Sequence, residues 1–175
     1  QTCSLPIFHA SRYRKLDSVM PNSFFFERHH ASLIHVPPDV VFDYVTNPNS
    51  WPEWLAASHH IDSPDRPLGT GDEFQEKWHT RSGETVLNWI VTSAERPTIW
   101  MVKPRRRFWA RSSFDMISKR RARSTKKNQA TRYRRNVTNP TRPKPPTEDM
   151  VQRFDEEAVI GLGNIKSLLE NRDTG

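Results

Sequence analysis

Three groups of residues in this chain could do chemistry. The first is aromatic: six tryptophans and nine phenylalanines in 175 residues. Trp78, Trp89, Trp100 and Phe114 fall on neighbouring predicted strands, with Phe154 and Leu162 on a long C-terminal helix. Glu76 and Asn88 interrupt those strands. A buried polar side chain is costly without a partner, so each either faces out or orients a ligand. The second group is a basic block. Fourteen of the 27 Lys and Arg lie between Lys103 and Arg135, against the single acid Asp115. Interleaved with Phe108, Trp109 and Tyr133, such a block suits phosphate contacts and base stacking. It equally suits a solvated hairpin whose charge keeps an edge strand from pairing. The third group is the histidines, with two adjacent pairs, His29-His30 and His59-His60. Adjacent residues on a strand point to opposite faces, so neither pair readily gives two ligands to one metal.

Several chemistries find no support. There is no Cys-x-x-Cys, no His-Glu-x-x-His and no G-x-S-x-G, and Gly69-Thr70-Gly71 lacks the third glycine of a dinucleotide loop. No metal and no cofactor are therefore expected. The only cysteine is Cys3, which excludes a disulfide within the chain. No apolar run approaches the ~20 residues a membrane helix needs, and no signal-type apolar stretch stands near residue 1. The expected location is the cytoplasm. Hydrophobic content is 34% and the net charge is +7, which makes part of the chain solvated loop or tail.

The elements that must position these residues follow from period and punctuation. Residues 1–19 keep no period and read as a disordered tail, with Met20-Pro21 the more natural start and one domain over 20–172. Phe24 to Val36 reads as a first strand. Pro37-Pro38-Asp39 opens a short helix with Val41, Tyr44 and Val45 on one face, and Asn47-Pro48 stops it. A second short helix holds Trp51 and Trp54. Strands then follow over Asp72–Thr80, with Phe74, Glu76 and Trp78 on one face, and over Thr85–Thr92, Thr98–Val102, Phe108–Ile117 and Ala130–Thr138. Asn139 to Pro146 reads as a proline-rich loop. Thr147 caps a final helix whose Val151, Phe154, Ala158, Leu162, Ile165 and Leu169 recur at steps of 3 or 4. Gly161 sits on that stripe, either because the sheet approaches closely or to leave room for a ligand.

The ordered set Val36-Pro37-Pro38-Asp39-Val40-Val41-Phe42-Asp43-Tyr44-Val45, Trp51-Pro52-Glu53-Trp54, Pro67-Leu68-Gly69-Thr70-Gly71-Asp72 and Leu162-Gly163-Asn164-Ile165-Lys166-Ser167-Leu168-Leu169-Glu170 resembles the polyketide cyclase/dehydrase and lipid-transport branch of the SRPBCC superfamily. Those proteins are relatives of START and birch-pollen-allergen domains. The resemblance spans about residues 24 to 171 and implies an α+β helix-grip fold. In that fold a curved antiparallel sheet of about six to seven strands wraps a long C-terminal helix, with two short helices after the first strand. It also implies a hydrophobic pocket between sheet and helix, hence a small hydrophobic or amphipathic ligand. Pocket candidates are Trp54, Phe74, Glu76, Trp78, Trp89, Trp100, Phe114, Tyr133, Phe154, Ala158, Gly161 and Leu162. The superfamily shares no catalytic motif, so no catalytic residue is carried over, and carrier and cyclase- or dehydratase-like enzyme both stay open. The sequence departs from the pattern in the basic segment 103–128. The alternative function is an RNA- or ribosome-interacting module that uses residues 103–135, with Lys119, Arg120, Arg121, Arg123, Lys126 and Lys127 as contacts.

Overall fold

The computed structural model describes residues 14–15, 24–56, 60–80, 83–105, 111–118, 130–142 and 144–172, with side chains of 14, 15, 25, 79, 80, 111–118 and 139–142 left aside. Among the described residues eight antiparallel strands form one sheet: β1 (Arg14–Lys15), β2 (Phe24–Ile34), β3 (His60–Asp62), β4 (Glu73–Thr80), β5 (Gly83–Glu95), β6 (Ile99–Pro104), β7 (Arg111–Ser118) and β8 (Thr131–Arg142). Their spatial order is β1-β2-β8-β7-β6-β5-β4-β3. The helices α1 (Pro38–Val45) and α2 (Trp51–Trp54) follow β2, and α3 (Glu148–Arg172) closes the chain. The α+β helix-grip architecture expected from the sequence is the one observed.

The strand count exceeds six to seven through two short edge strands. Arg14–Lys15 fall inside the segment expected to be tail, and they pair with Phe25 and Phe24. His60–Asp62 pair with Lys77 to Gln75 at the other edge. β8 also runs further than expected, to Arg142, through a stretch read as loop. Pro140 cannot donate to a ladder. The β2–β8 register shifts between Phe24 and Phe26, the one-residue bulge opposite Pro140 and Thr141 that lets the strand continue.

Sheet curvature and helix stripe match. On β2, Phe26, Arg28, His30 and Ile34 are buried while His29, Ala31 and Leu33 are exposed. Thr131, Tyr133 and Val137 are the buried set on β8, and Trp89 and Val91 on β5. α3 is 25 residues, about 37 Å, enough to lie across the whole concave face. Ala158, Gly161, Leu162, Ile165 and Leu169 are its buried residues. The Thr147 hydroxyl accepts from the Met150 amide at 3.2 Å, and Glu148 and Asp149 occupy the positive first turn. Thr46, Ser50 and Asn47 tie α1 and α2 together through side-chain hydrogen bonds to Phe42 O, Tyr44 O and the Asn49 amide.

Candidate functional site

The concave face carries an aromatic wall. Trp89 of β5 stacks on Phe74 of β4, with ring centroids 6.2 Å apart and planes at 16°. Trp51 from α2 meets Phe74, Trp100 and Trp54 edge-on, at 5.3, 6.2 and 6.3 Å. Every indole N–H in this group has an acceptor. Trp51 donates to Val45 O at 3.0 Å, Trp54 to Ser50 Oγ at 3.3 Å, Trp89 to Glu76 Oε2 at 3.0 Å and Trp100 to Leu68 O at 2.9 Å. Large rings whose polar tips are satisfied make a rigid apolar surface.

A polar patch is set into that surface. Glu76 is buried at 2% exposure, on the same face as Phe74, and accepts from the Trp89 indole. Tyr133 of β8 is fully buried, and burial pushes its phenol well above the ordinary range. Arg135, two residues on, alternates onto the same inward face. Its Nε is enclosed and has no hydrogen-bond partner among the described residues. Burial lowers the pKa of this guanidinium, while Tyr133, Glu76 and Glu157 pull the other way.

Beside Arg135 the grip of α3 on β2 is ionic. Asp155 accepts from Arg28 Nε at 2.8 Å and from Arg28 Nη2, and lies 2.8 Å from His30 Nε2. Arg28 and His30 are buried at 5% and 4% exposure. Desolvation works against the Asp155 charge, but the bonds from Arg28 and His30 outweigh it and hold the carboxyl below its usual range. Desolvation likewise lowers His30, against the pull of Asp155, so the ring favours the neutral form. With Asp155 as acceptor at Nε2, the neutral tautomer carries its proton there and leaves Nδ1 as a bare acceptor. That Nδ1 is buried without a partner. His30 and Arg135 are directly paired across β2 and β8, so their side chains rise from the sheet side by side.

The sequence-derived candidates divide. Phe74, Trp89, Trp100, Tyr133 and Leu162 share one buried cluster, and Glu76 and Ala158 are buried as well. Phe154 is half-buried, packed edge-on against Phe26 at 5.6 Å and 6.2 Å from the His30 ring. The register pairs Phe114 with Trp100 and Arg135, and its side chain is among those left aside. Trp78 differs: two residues before the end of β4, it is 37% exposed. Trp54 and Gly161 pack on each other rather than face open space. A Cβ at Gly161 would meet Trp54 O at 3.2 Å and Leu55 Cδ2 at 3.6 Å, so the close approach that the glycine permits is by α2, neither by the sheet nor by a ligand. Asn88 is exposed and accepts from Gln75 Nε2 at 2.9 Å. Lys119, Arg120, Arg121, Arg123, Lys126 and Lys127 lie outside the described residues. Within the rest of the basic block, Arg135 turns inward and Arg105 bonds Glu73 at 2.5 Å, while Arg132 stays on the convex face.

Arg28 and Asp155 were not singled out from the sequence, and His30 was named only as half of an adjacent pair, yet a signal was present. Phe26, Arg28, His30 and Ile34 share one strand face by period two, and Asp155 precedes Ala158 and Leu162 on the helix stripe. Among the described residues no cluster of His, Cys, Asp and Glu is arranged to hold a metal ion. No described helix is long and apolar enough to cross a membrane.

The same arrangement of curved sheet and long helix occurs in known structures. Ara h 8.0201 superposes with a TM-score of 0.59 at 13% identity, over 84% of this chain and 99% of that one. Protein NE0264 from Nitrosomonas europaea gives 0.56 at 13% identity, over 85% and 97%. The KanY protein gives 0.54 at 15% identity, over 81% and 95%. No family model and no curated protein matches the sequence. At these identities the likeness establishes the fold alone, a helix-grip α+β fold.

Proposed function

We propose that the protein binds one small amphipathic ligand between the concave face of the sheet and α3. One observation carries this reading: ionisable groups sit among the aromatics of the grip. Glu76 is buried against Trp89, and Arg135 is drawn inward with an enclosed, unpartnered Nε. A domain that only needed a filled core would be as stable with apolar residues at both positions, because buried charges bring a desolvation penalty that pairing at best offsets. An apolar body against Trp89, Trp100 and Phe74 with a polar end near Arg135 makes use of both kinds of surface. Carriage fits this arrangement directly. A cyclase- or dehydratase-like reaction on an aromatic or polyketide-like substrate would use the same wall, with Glu76 or His30 within the grip as acid–base groups.

The test is a titration with a neutral fluorescent naphthylamine. Saturable one-to-one binding that hardly responds to salt is expected, since burial of apolar area drives it. Trp89→Ala should weaken it. Absence of saturable binding, together with salt-sensitive retention of RNA, would favour the nucleic-acid alternative and sink this reading.

A further inference from the structure

We propose that His30 and Arg135 form a head-group site for an organic acid, and that binding the acid loads a proton onto His30. This deepens the ligand-binding reading and rests on it. The two residues are direct cross-strand neighbours on the inward face, so their side chains leave the sheet about 5 Å apart. Each presents one enclosed nitrogen with no partner among the described residues, Nδ1 of His30 and Nε of Arg135. Native structures satisfy nearly all buried polar atoms, so two orphans side by side mark a place where something else binds.

The charges around the pair decide what that is. Arg28 on β2 is matched by Asp155 on α3, which also takes the far nitrogen of His30. Arg135 on β8 has no such partner among the described residues. Glu76 on β4 and Glu157 on α3 act on it only at a distance, and Glu76 accepts from Trp89. The site therefore lacks one anion. A carboxylate would accept from Arg135 Nε–H in a charge-assisted bond. Its second oxygen would stand before His30 Nδ1, where two acceptors cannot meet without a proton between them. Arg28 and Arg135 oppose protonation of His30 in the free protein, and desolvation opposes it more. An arriving carboxylate cancels the nearer cation and supplies the acceptor. The ring then takes a proton from solvent at Nδ1 and donates it to the ligand, while Asp155 holds the imidazolium from the other side. No covalent bond forms or breaks in the ligand.

Calorimetric titration of 1-naphthaleneacetate and its carboxamide, in two buffers of different ionisation enthalpy near neutral pH, tests this. The acid should bind about tenfold or more tightly than the amide and take up close to one proton. Arg135→Met removes a charge that lacks a partner, so its melting temperature should hold, and it should erase the preference for the acid. His30→Gln keeps a donor for Asp155 and should abolish the proton uptake. Equal binding of acid and amide would overturn the head-group site while leaving the ligand-binding reading in place. So would an acid preference that survives in Arg135→Met. Acid binding without proton uptake would overturn the role of His30. If neither probe binds, the ligand-binding reading falls and this inference falls with it.

Discussion

Gly161 of α3 lies under the backbone carbonyl of Trp54, so close that a Cβ added there would stand 3.2 Å from the oxygen. Two residues along the same helix, Gly163 is exposed and has nothing within 4 Å of its would-be Cβ. The pair separates helix propensity from packing. Gly163→Ala should raise stability by the intrinsic preference, about 1 kcal/mol, or roughly 2–4 °C in melting temperature. Gly161→Ala should gain little or nothing, because α2 must give way by a few tenths of an ångström. Equal gains for both, measured by thermal melting, would mean that α2 does not press on α3 here.

Asp155 joins the helix to β2 through two buried partners. Asp155→Ala would leave Arg28 as an uncompensated buried cation, and removing one partner of a buried pair typically costs about 3–5 kcal/mol. That is a large share of the ~5–15 kcal/mol that stabilises a domain. Urea unfolding should show a much lower midpoint. A loss under about 1 kcal/mol would indicate that the ionic grip is solvated.

The same cluster sets a pH dependence. Burial holds the folded-state pKa of His30 below its ordinary 6.5, so between that value and the lower folded pKa the unfolded chain binds a proton that the fold does not. Stability is then lost as pH falls below about 6.5. Asp155, also depressed, contributes stability above its ordinary 3.8 that is lost as pH falls through its folded pKa, a second and more acidic phase. His30→Gln should flatten the first phase and leave the second. Denaturation curves collected between about pH 3 and 8 decide it, and an unchanged slope in the variant would contradict the assignment.

Exposure of Trp78 predicts a contrast with Trp89. Trp89→Ala empties a stacked, fully bonded position and should cost about 3–5 kcal/mol. Trp78→Ala removes a ring that is 37% exposed and should cost well under half of that. Similar losses would show that the open end of β4 is covered.

What the sequence made legible was periodic. The stripe from Val151 to Leu169 located α3, and alternation put Phe74 and Glu76 on one face of β4. Glu76 was flagged because a lone carboxylate among aromatics is a conflict in a single strand. The ionic grip was hidden for the opposite reason. Arg28 and His30 sit in a polar-looking run, and Arg135 in a block of like charges, so nothing local marks them as buried. Asp155, the partner of Arg28 and His30, lies 120 or more residues from both, and only the register of β2 against β8 and the crossing of α3 bring these three and Arg135 together. Gly161 was visible as an anomaly, but its neighbour was not, since a helix-to-helix approach leaves no period in either segment.

Ligand entry into the grip can be followed at the tryptophans themselves. In 15N-labelled protein, titration with 1-naphthaleneacetate should shift the indole N–H signals of Trp89 and Trp100, assigned by single substitution, and leave that of Trp78 nearly unmoved. Shifts confined to Trp78 and to surface amides, with the Trp89 and Trp100 signals unchanged at saturating probe, would contradict binding between the sheet and α3.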